Sequence, residues 1–379
     1  TWNYIEFGKP EFIQGVPGLI VAPGKWAKAM APMFKALKKG KAGYDEIAAA
    51  QKRDPAYAYA KKGGTKFRDV EGPITAQEEI FRGKFVEWAR EKNVPVLKQY
   101  AEVIGRSNEA YTSFLNELHL DLFKKFTGGR LDNLEILEDA SRLSNILTGR
   151  GDGQMAEALA NKNFAYAFYA PRFMLSTFQN AALPLLLPTF KTWKGRGAAL
   201  SAWSKQAGAL YGSLKTAEMF GLKVEKDPRS SNFGMIELPT GHKINLFRKV
   251  TDPVKFVAGQ IGGSFNSKGN YAGPNFYSNT QHLGKFLTGK ASPIARIAFQ
   301  SATGERFDED KGRSVPYNLF KGEDFMRSFL ESFTPLSWQQ AFKSDGDASA
   351  FVAALLGLDL RKPQPPLRVA PRRRWRAKG

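Results

Sequence analysis

The chain has three histidines, His119, His242 and His282, and none has a partner at the HExxH, HxH or HxxxH spacing that would let two imidazoles share a metal. His119 falls inside an apolar-periodic stretch and His242 in a hairpin turn, positions that suit packed or solvated rings. There is no cysteine, which excludes thiolate nucleophiles, thiolate zinc sites and disulfides. No GxSxG elbow, Walker loop or dinucleotide fingerprint is present. The glycines of Thr148 to Gly153, TGRGDG, lack a preceding strand and a following Lys-Ser/Thr, so they read as a turn at a helix end and not as a phosphate loop. The acidic run Asp308-Glu309-Asp310 has the right oxygen chemistry for calcium but not the loop spacing, and reads as solvated. Glu78, Glu79 and Glu87 are of the type used in glycoside hydrolysis, yet they fall on a helical, surface-like pattern. The expectation is no catalytic residue, no metal ligand and no cofactor: a protein that is not an enzyme.

Binding chemistry is better represented. Lys and Arg number 56 against 36 Asp and Glu, a formal net charge of +20 with a pI near 9.8. That excess favours polyanionic partners: nucleic acid, anionic lipid or an acidic protein surface. It concentrates in two places. Between Lys25 and Lys41 the apolar residues Trp26, Met30, Met33, Phe34 and Leu37 recur at three- and four-residue spacing, with Lys25, Lys28, Lys35, Lys38, Lys39 and Lys41 on the other side. Such a basic amphipathic helix can lie along phosphates or on a membrane surface, and the same pattern more often marks an ordinary surface helix. From Arg361 the tail RKPQPPLRVAPRRRWRAKG carries eight Lys or Arg and no acid. Its four prolines forbid a stable helix. Arg372, Arg373, Arg374 and Arg376 around Trp375, with Arg368 and Lys378, suit phosphate contact with stacking, an acidic groove on a neighbouring subunit, or a solvated end. The candidate nucleic-acid or subunit-binding residues are therefore these tail residues together with Lys35, Lys38 and Lys39.

The elements that carry these residues are mostly helical. Residues 1–24 hold Pro10, Gly15, Pro17, Gly18, Pro23 and Gly24 and read as an extended arm. Its Trp2, Tyr4, Phe7 and Phe12 would anchor it on a neighbour or on the chain's own core. Ile80, Phe85, Trp88, Val94 and Leu97 mark one or two helices. Asn108 and Glu109 open another along Tyr111, Leu115, Leu118, Leu122 and Phe126, ended by Gly128 and Gly129. A further helix is predicted from about Asp132, its cap, with Glu135 completing a capping box, to Leu147. The apolar run from Phe164 to Phe190 has the length of a bilayer span. Pro171, Arg172, Pro184 and Pro188 point instead to a buried helix followed by a proline-bounded run. Residues 191–222 continue as helix with Trp193, Trp203 and Tyr211. Gly234 to Phe247 reads as a hairpin turning at Pro239-Thr240-Gly241, the one firm β element. Residues 262–281 and 303–322 read as loops, with helices between and after them.

With 379 residues, 42% of them hydrophobic and 29 of them Phe, the chain can bury a sizeable core. The organisation expected is an arm over 1–24, a helical domain over 25–222, a hairpin-plus-helical subdomain over 223–360 and a basic tail over 361–379. The fold class is mainly α, an irregular multi-helix bundle with one β-hairpin at about 234–247 and extended terminal arms. The chain opens on Thr1 without a leader pattern, which leaves two readings: an initiator or leader was removed, or this is part of a longer polypeptide.

Four segments carry a resemblance. They are Ser141 to Gly151, SRLSNILTGRG; Ala170-Pro171-Arg172-Phe173 with Gln179; the hairpin Gly234 to Phe247 followed by Asp252-Pro253; and the series Phe286 to Lys290, Ser292-Pro293, Thr303-Gly304, Thr334 to Leu336 and Gly357. In order and spacing the chain resembles the large polyvalent protein-associated domains of phages and mobile elements over roughly residues 75–360. The chain departs from that pattern after Leu358, where the basic proline-rich tail replaces a short aromatic-ended strand. The resemblance implies a packaged virion protein of a tailed phage, of the internal or ejection type, assembling with other virion proteins as a homo-oligomer near phage DNA and in contact with the host envelope membrane. It implies no catalytic residue. Two other readings stay open: a nucleic-acid-binding module of a giant virion enzyme such as a packaged RNA polymerase, and a membrane-active ejection protein.

Overall fold

The computed structural model describes residues 16–68, 95–158 and 171–262 (less 231, 240, 242 and 246), with the strand pieces 264–265, 271–272, 305–308, 313–316 and 359–361. The molecule is mainly helical with a minor β element. At its centre runs α5 (Pro95–Thr127), whose 33 residues span about 50 Å. Tyr111, Phe114, Leu115, Leu118, Leu122 and Phe123 are all buried, and with Ser113, Asn116 and Leu120 buried as well the burial reaches every side of the helix. A helix buried all round has to be wrapped by others.

The wrapping begins at residues 16–21, a helical turn called α1, followed by α2 (Pro23–Lys39), α3 (Lys41–Arg53) and α4 (Pro55–Lys62). α2 lies along α5 through Ala29, Met33 and Ala36. Gly40, at φ 60, reverses the chain into α3. Asp54 caps α4 by accepting from the Ala56 amide at 2.9 Å, ahead of Pro55 in the first turn. α6 (Leu134–Leu147) packs on α5 and on α4.

Past the short α7 (Gln154–Ala158), α8 (Pro171–Ala181), α9 (Leu183–Leu186) and a 3-10 turn at Leu187–Thr189 lead into α10 (Trp193–Met219). Pro184 and Pro188 each sit in the first turn of the piece they open, which is why the apolar run breaks into short helices. α11 (Arg248–Gly262) packs on α8, with Phe178 edge-on to Phe256.

The hairpin forms as predicted, from β2 (Ile236–Glu237) and β3 (Lys243–Asn245), with Gly241 at φ 78 in the turn. It sits inside an antiparallel sheet of order β1-β2-β3-β8, where β1 is Lys223–Val224 and β8 is Asp359–Arg361. One row across the sheet reads Val224, Ile236, Ile244, Leu360, and the next reads Lys223, Glu237, Lys243, Arg361. Alternation puts Val224, Ile236 and Ile244 on the face opposite Lys223, Glu237 and Lys243. Val224, Ile236 and Ile244 of the apolar row pack on Leu214 and Ala217 of α10.

Several expectations need correction. The first 24 residues are not all extended: residues 16–21 are helical, because Pro17, Gly18 and Val21 are buried and a Cβ on Gly18 would stand 2.9 Å from Leu118. Asn108 does not open a helix. α5 runs straight through it, since no proline follows Pro95 in that stretch to interrupt the backbone ladder. Asn133, not Asp132, caps α6, accepting from the Ile136 amide at 3.2 Å. The hairpin is not the sole β element. β1 and β8 flank it, β4 (Ser264–Phe265) pairs with β5 (Tyr271–Ala272), and β6 (Glu305–Asp308) pairs with β7 (Arg313–Pro316), inside stretches read as loops. Strands of two to four residues are too short to show a period. Residues 248–262, left without an assignment by the sequence pattern, are α11. The helices predicted around Ile80 to Trp88 and beyond residue 282 lie outside the described residues.

Candidate functional site

α2 buries its alanine and methionine face on α5, so its lysines must point away. Two of the three lysines singled out from sequence are already paired: Lys35 Nζ meets Glu46 Oε1 at 2.6 Å and Lys39 Nζ meets Glu46 Oε2 at 3.4 Å. The Lys35 hydrogen bond and charge, then those of Lys39, hold the Glu46 carboxyl below the usual carboxylate range. Lys38 is exposed. On the other flank, Lys28 reaches Glu117 and Asp121, each at 3.1 Å. Partial burial opposes its charge, but hydrogen bonds to Asp121 and Glu117 prevail and raise its pKa.

The sequence pattern did not single out Lys52, Arg53, Lys61 and Lys62, which are exposed in the last turns of α3 and α4. The signal was present as local composition. Residues 16–68 contain twelve Lys or Arg and three Asp or Glu. Two of those acids are spent on pairs, Glu46 as above and Asp54 with Lys124. Cations at a helix C-terminus also answer the helix dipole, so each alone is unremarkable; the recurrence of exposed cations at the ends of three consecutive helices, with Lys38 on α2, is what stands out. Arg368, Arg372, Arg373, Arg374, Trp375, Arg376 and Lys378 lie outside the described residues, as do His242 and His282.

Two of the segments that carry the family resemblance meet each other. Gly149, Gly151 and Gly153 take φ of 90, 62 and 82, turning the chain sharply after α6. The Gln179 side chain then clasps the Asp152 backbone, with Asp152 N donating to Oε1 at 2.9 Å and Nε2 donating to the carbonyl at 2.8 Å. Arg142 Nε holds the Asp152 carboxylate at 2.8 Å, and the buried Arg172 donates from Nε to Ala156 O at 3.1 Å. The motif is a joint between α6 and α8, in keeping with a helix-end turn.

His119 is fully buried, its Nδ1 3.0 Å from Leu115 O and its Nε2 paired with Thr148 Oγ1, so it is a packed ring. Among the described residues no group of three or more His, Cys, Asp or Glu could hold a metal, and no helix is long and apolar enough to cross a membrane.

A groove of about 310 Å³ opens between α8, α10 and α11. Trp203, Leu210, Leu214, Phe233, Val250 and Val254 make its walls. At its floor Asn180 and Gln206 exchange amide hydrogen bonds of 2.8 and 3.1 Å. At its mouth stand Tyr211, 64% exposed, and Lys215 and Lys226, both paired with Glu218. The Lys226 hydrogen bond outweighs desolvation and, with Lys215, lowers the Glu218 pKa. The groove is assembled from four separate segments, and no single stretch of sequence announces it.

No protein-family model, curated protein or solved structure matches this chain.

Proposed function

We propose that this chain is a structural virion protein of a tailed bacteriophage, of the internal or ejection type, which self-assembles beside the genome path and meets DNA through basic helical surfaces. The observation that carries the reading is the set of exposed cations Lys38, Lys52, Arg53, Lys61 and Lys62, displayed on α2, α3 and α4 while the apolar sides of these helices pack on α5. A surface of this kind neutralises phosphates without reading bases. The resemblance to phage polyvalent-protein domains gives the setting, and the packing of Ser141 to Gly151 against α8 supports treating those motifs as structural. The role is scaffolding and electrostatic lining, in the company of other virion proteins, with the host envelope membrane as a further surface the cations suit.

Self-assembly is tested by light scattering on the full chain over a range of concentrations, at low and high salt. The reading predicts a discrete oligomer. A monomer at every concentration and salt would overturn self-assembly and favour a binding module of a larger enzyme.

A further inference from the structure

The groove between α8, α10 and α11 is not used by the function proposed above. Its walls are apolar, and the apolar strip continues beyond it: Val250, Val254, Val257 and Ile261 recur along α11, and the last two are 48% and 75% exposed. The Asn180–Gln206 pair satisfies itself, so the floor asks for no polar group. The mouth is different. Lys215 and Lys226 share the single carboxylate of Glu218, two cations to one anion, and Lys215 also lies 5.9 Å from the Tyr211 ring centre. A ligand that fits would put an aromatic side chain into the groove and a carboxylate beside it against the two lysines. The volume is at the low end of the ~300–1,000 Å³ of small-ligand pockets, room for one aromatic group and its neighbours.

The chain itself offers that chemistry. Residues 1–15 contain Ile5-Glu6-Phe7 and Glu11-Phe12-Ile13, each an acid directly followed by phenylalanine, with Lys9 as the segment's one basic side chain. We propose that the groove receives residues 1–15 of a second copy of this chain, with Phe7 or Phe12 between α10 and α11 and the preceding glutamate on Lys215 and Lys226. The choice of a second copy rests on the assembly reading above. Fifteen residues can extend about 50 Å from the body, far enough to reach a neighbour. A contact of arm on groove is head-to-tail and can close a ring.

The test uses a dye-labelled peptide of residues 1–15 titrated into the chain lacking those residues, together with light scattering on the full chain. The peptide is expected to bind saturably. Glu6→Gln with Glu11→Gln should weaken it several-fold, as suits a partly exposed ion pair. Ala207→Trp, which fills the groove, should abolish binding. Because a Trp at 207 also adds bulk between packed helices, Lys215→Glu with Lys226→Glu serves as a surface control: it should reject the native peptide and accept one carrying Glu6→Lys and Glu11→Lys. The full-chain oligomer should lose subunits when residues 1–15 are removed. No saturable binding, equal binding to the filled groove, or failure of the charge swap would overturn the proposal. An oligomer that keeps its mass without residues 1–15 would overturn it while leaving self-assembly standing. Peptide binding with a full chain monomeric throughout would mean an arm folded onto its own groove, and would overturn both the second-copy proposal and self-assembly.

Discussion

Asp139 decides how α10, which supplies one wall of the groove, is attached to the helical body. It lies on α6, buried, and its carboxylate accepts from the Lys191 amide at 2.9 Å, the Thr192 amide at 2.8 Å and the Thr192 hydroxyl at 2.7 Å. The same Thr192 oxygen accepts from the Gly195 amide at 2.9 Å and caps α10. Asp139→Asn preserves shape but leaves one oxygen to serve two backbone donors, and the new NH2 faces an N–H. Losing one charge-assisted bond and burying a donor against a donor should cost about 2–3 kcal/mol. Asp139→Ala removes all three bonds and should cost about 3–4 kcal/mol. The assay is amide hydrogen exchange over residues 186–200. At 1.36 kcal/mol per tenfold, the Asn variant should exchange roughly 30- to 150-fold faster at Lys191 and Thr192. Amides of α5 near Leu118 serve as the internal reference and should be unchanged. Wild-type protection at Lys191 and Thr192 in the Asn variant would refute the claim that this carboxylate holds α10 in place.

Gly63 follows α4 at an ordinary φ of −75, but a Cβ there would stand 2.5 Å from Leu137 O and 2.6 Å from Ser141 Oγ. Gly63→Ala should therefore destabilise by about 1–3 kcal/mol through overpacking, seen as a lower denaturant midpoint with an unchanged slope. Asp54 gives a pH dependence: burial opposes its charge, yet the Lys124 hydrogen bond and the Ala56 amide prevail and hold its pKa below the ordinary 3.8. A carboxyl depressed in the folded state contributes fully above its ordinary value and loses that contribution as pH falls through the lower folded value. The stability difference between the parent and Asp54→Asn should thus be constant near neutrality and vanish in the acid range below 3.8, as read by denaturation at each pH.

Local signals were legible wherever one residue type answers one backbone demand. The glycines after Leu147 and the turn at Gly241 were recognisable because positive φ favours glycine, and both are found as expected. The core stripe Tyr111, Leu115, Leu118, Leu122 and Phe126 was legible from its spacing and is buried. Competing signals were less decisive. Asp132 and Asn133 are both good caps, and only the geometry of the first turn selects Asn133. Pro17 and Gly18 announce a break, but burial against Leu118 keeps residues 16–21 helical. β1 and β8 are non-local: Lys223 and Arg361 join one row of a sheet across well over a hundred residues, which no window of sequence contains. The candidate site divided the same way. Lys35, Lys38 and Lys39 stood out by helical spacing, whereas the pairing of Lys35 and Lys39 with Glu46 depends on α3 folding back along α2.

The central claim, that the cations of α2 to α4 face a polyanion, is tested most directly by the affinity of the full chain for two duplex DNAs of unrelated sequence as salt is varied. The account predicts equal affinity for both, with log K falling against log salt at a slope of roughly −3 to −4 for about four neutralised phosphates. Replacing Lys38, Lys52, Arg53, Lys61 and Lys62 by Gln should flatten that slope while leaving the far-ultraviolet helical signal intact. DNA affinity that is absent at low salt, or whose salt slope survives the loss of these five charges, would contradict it.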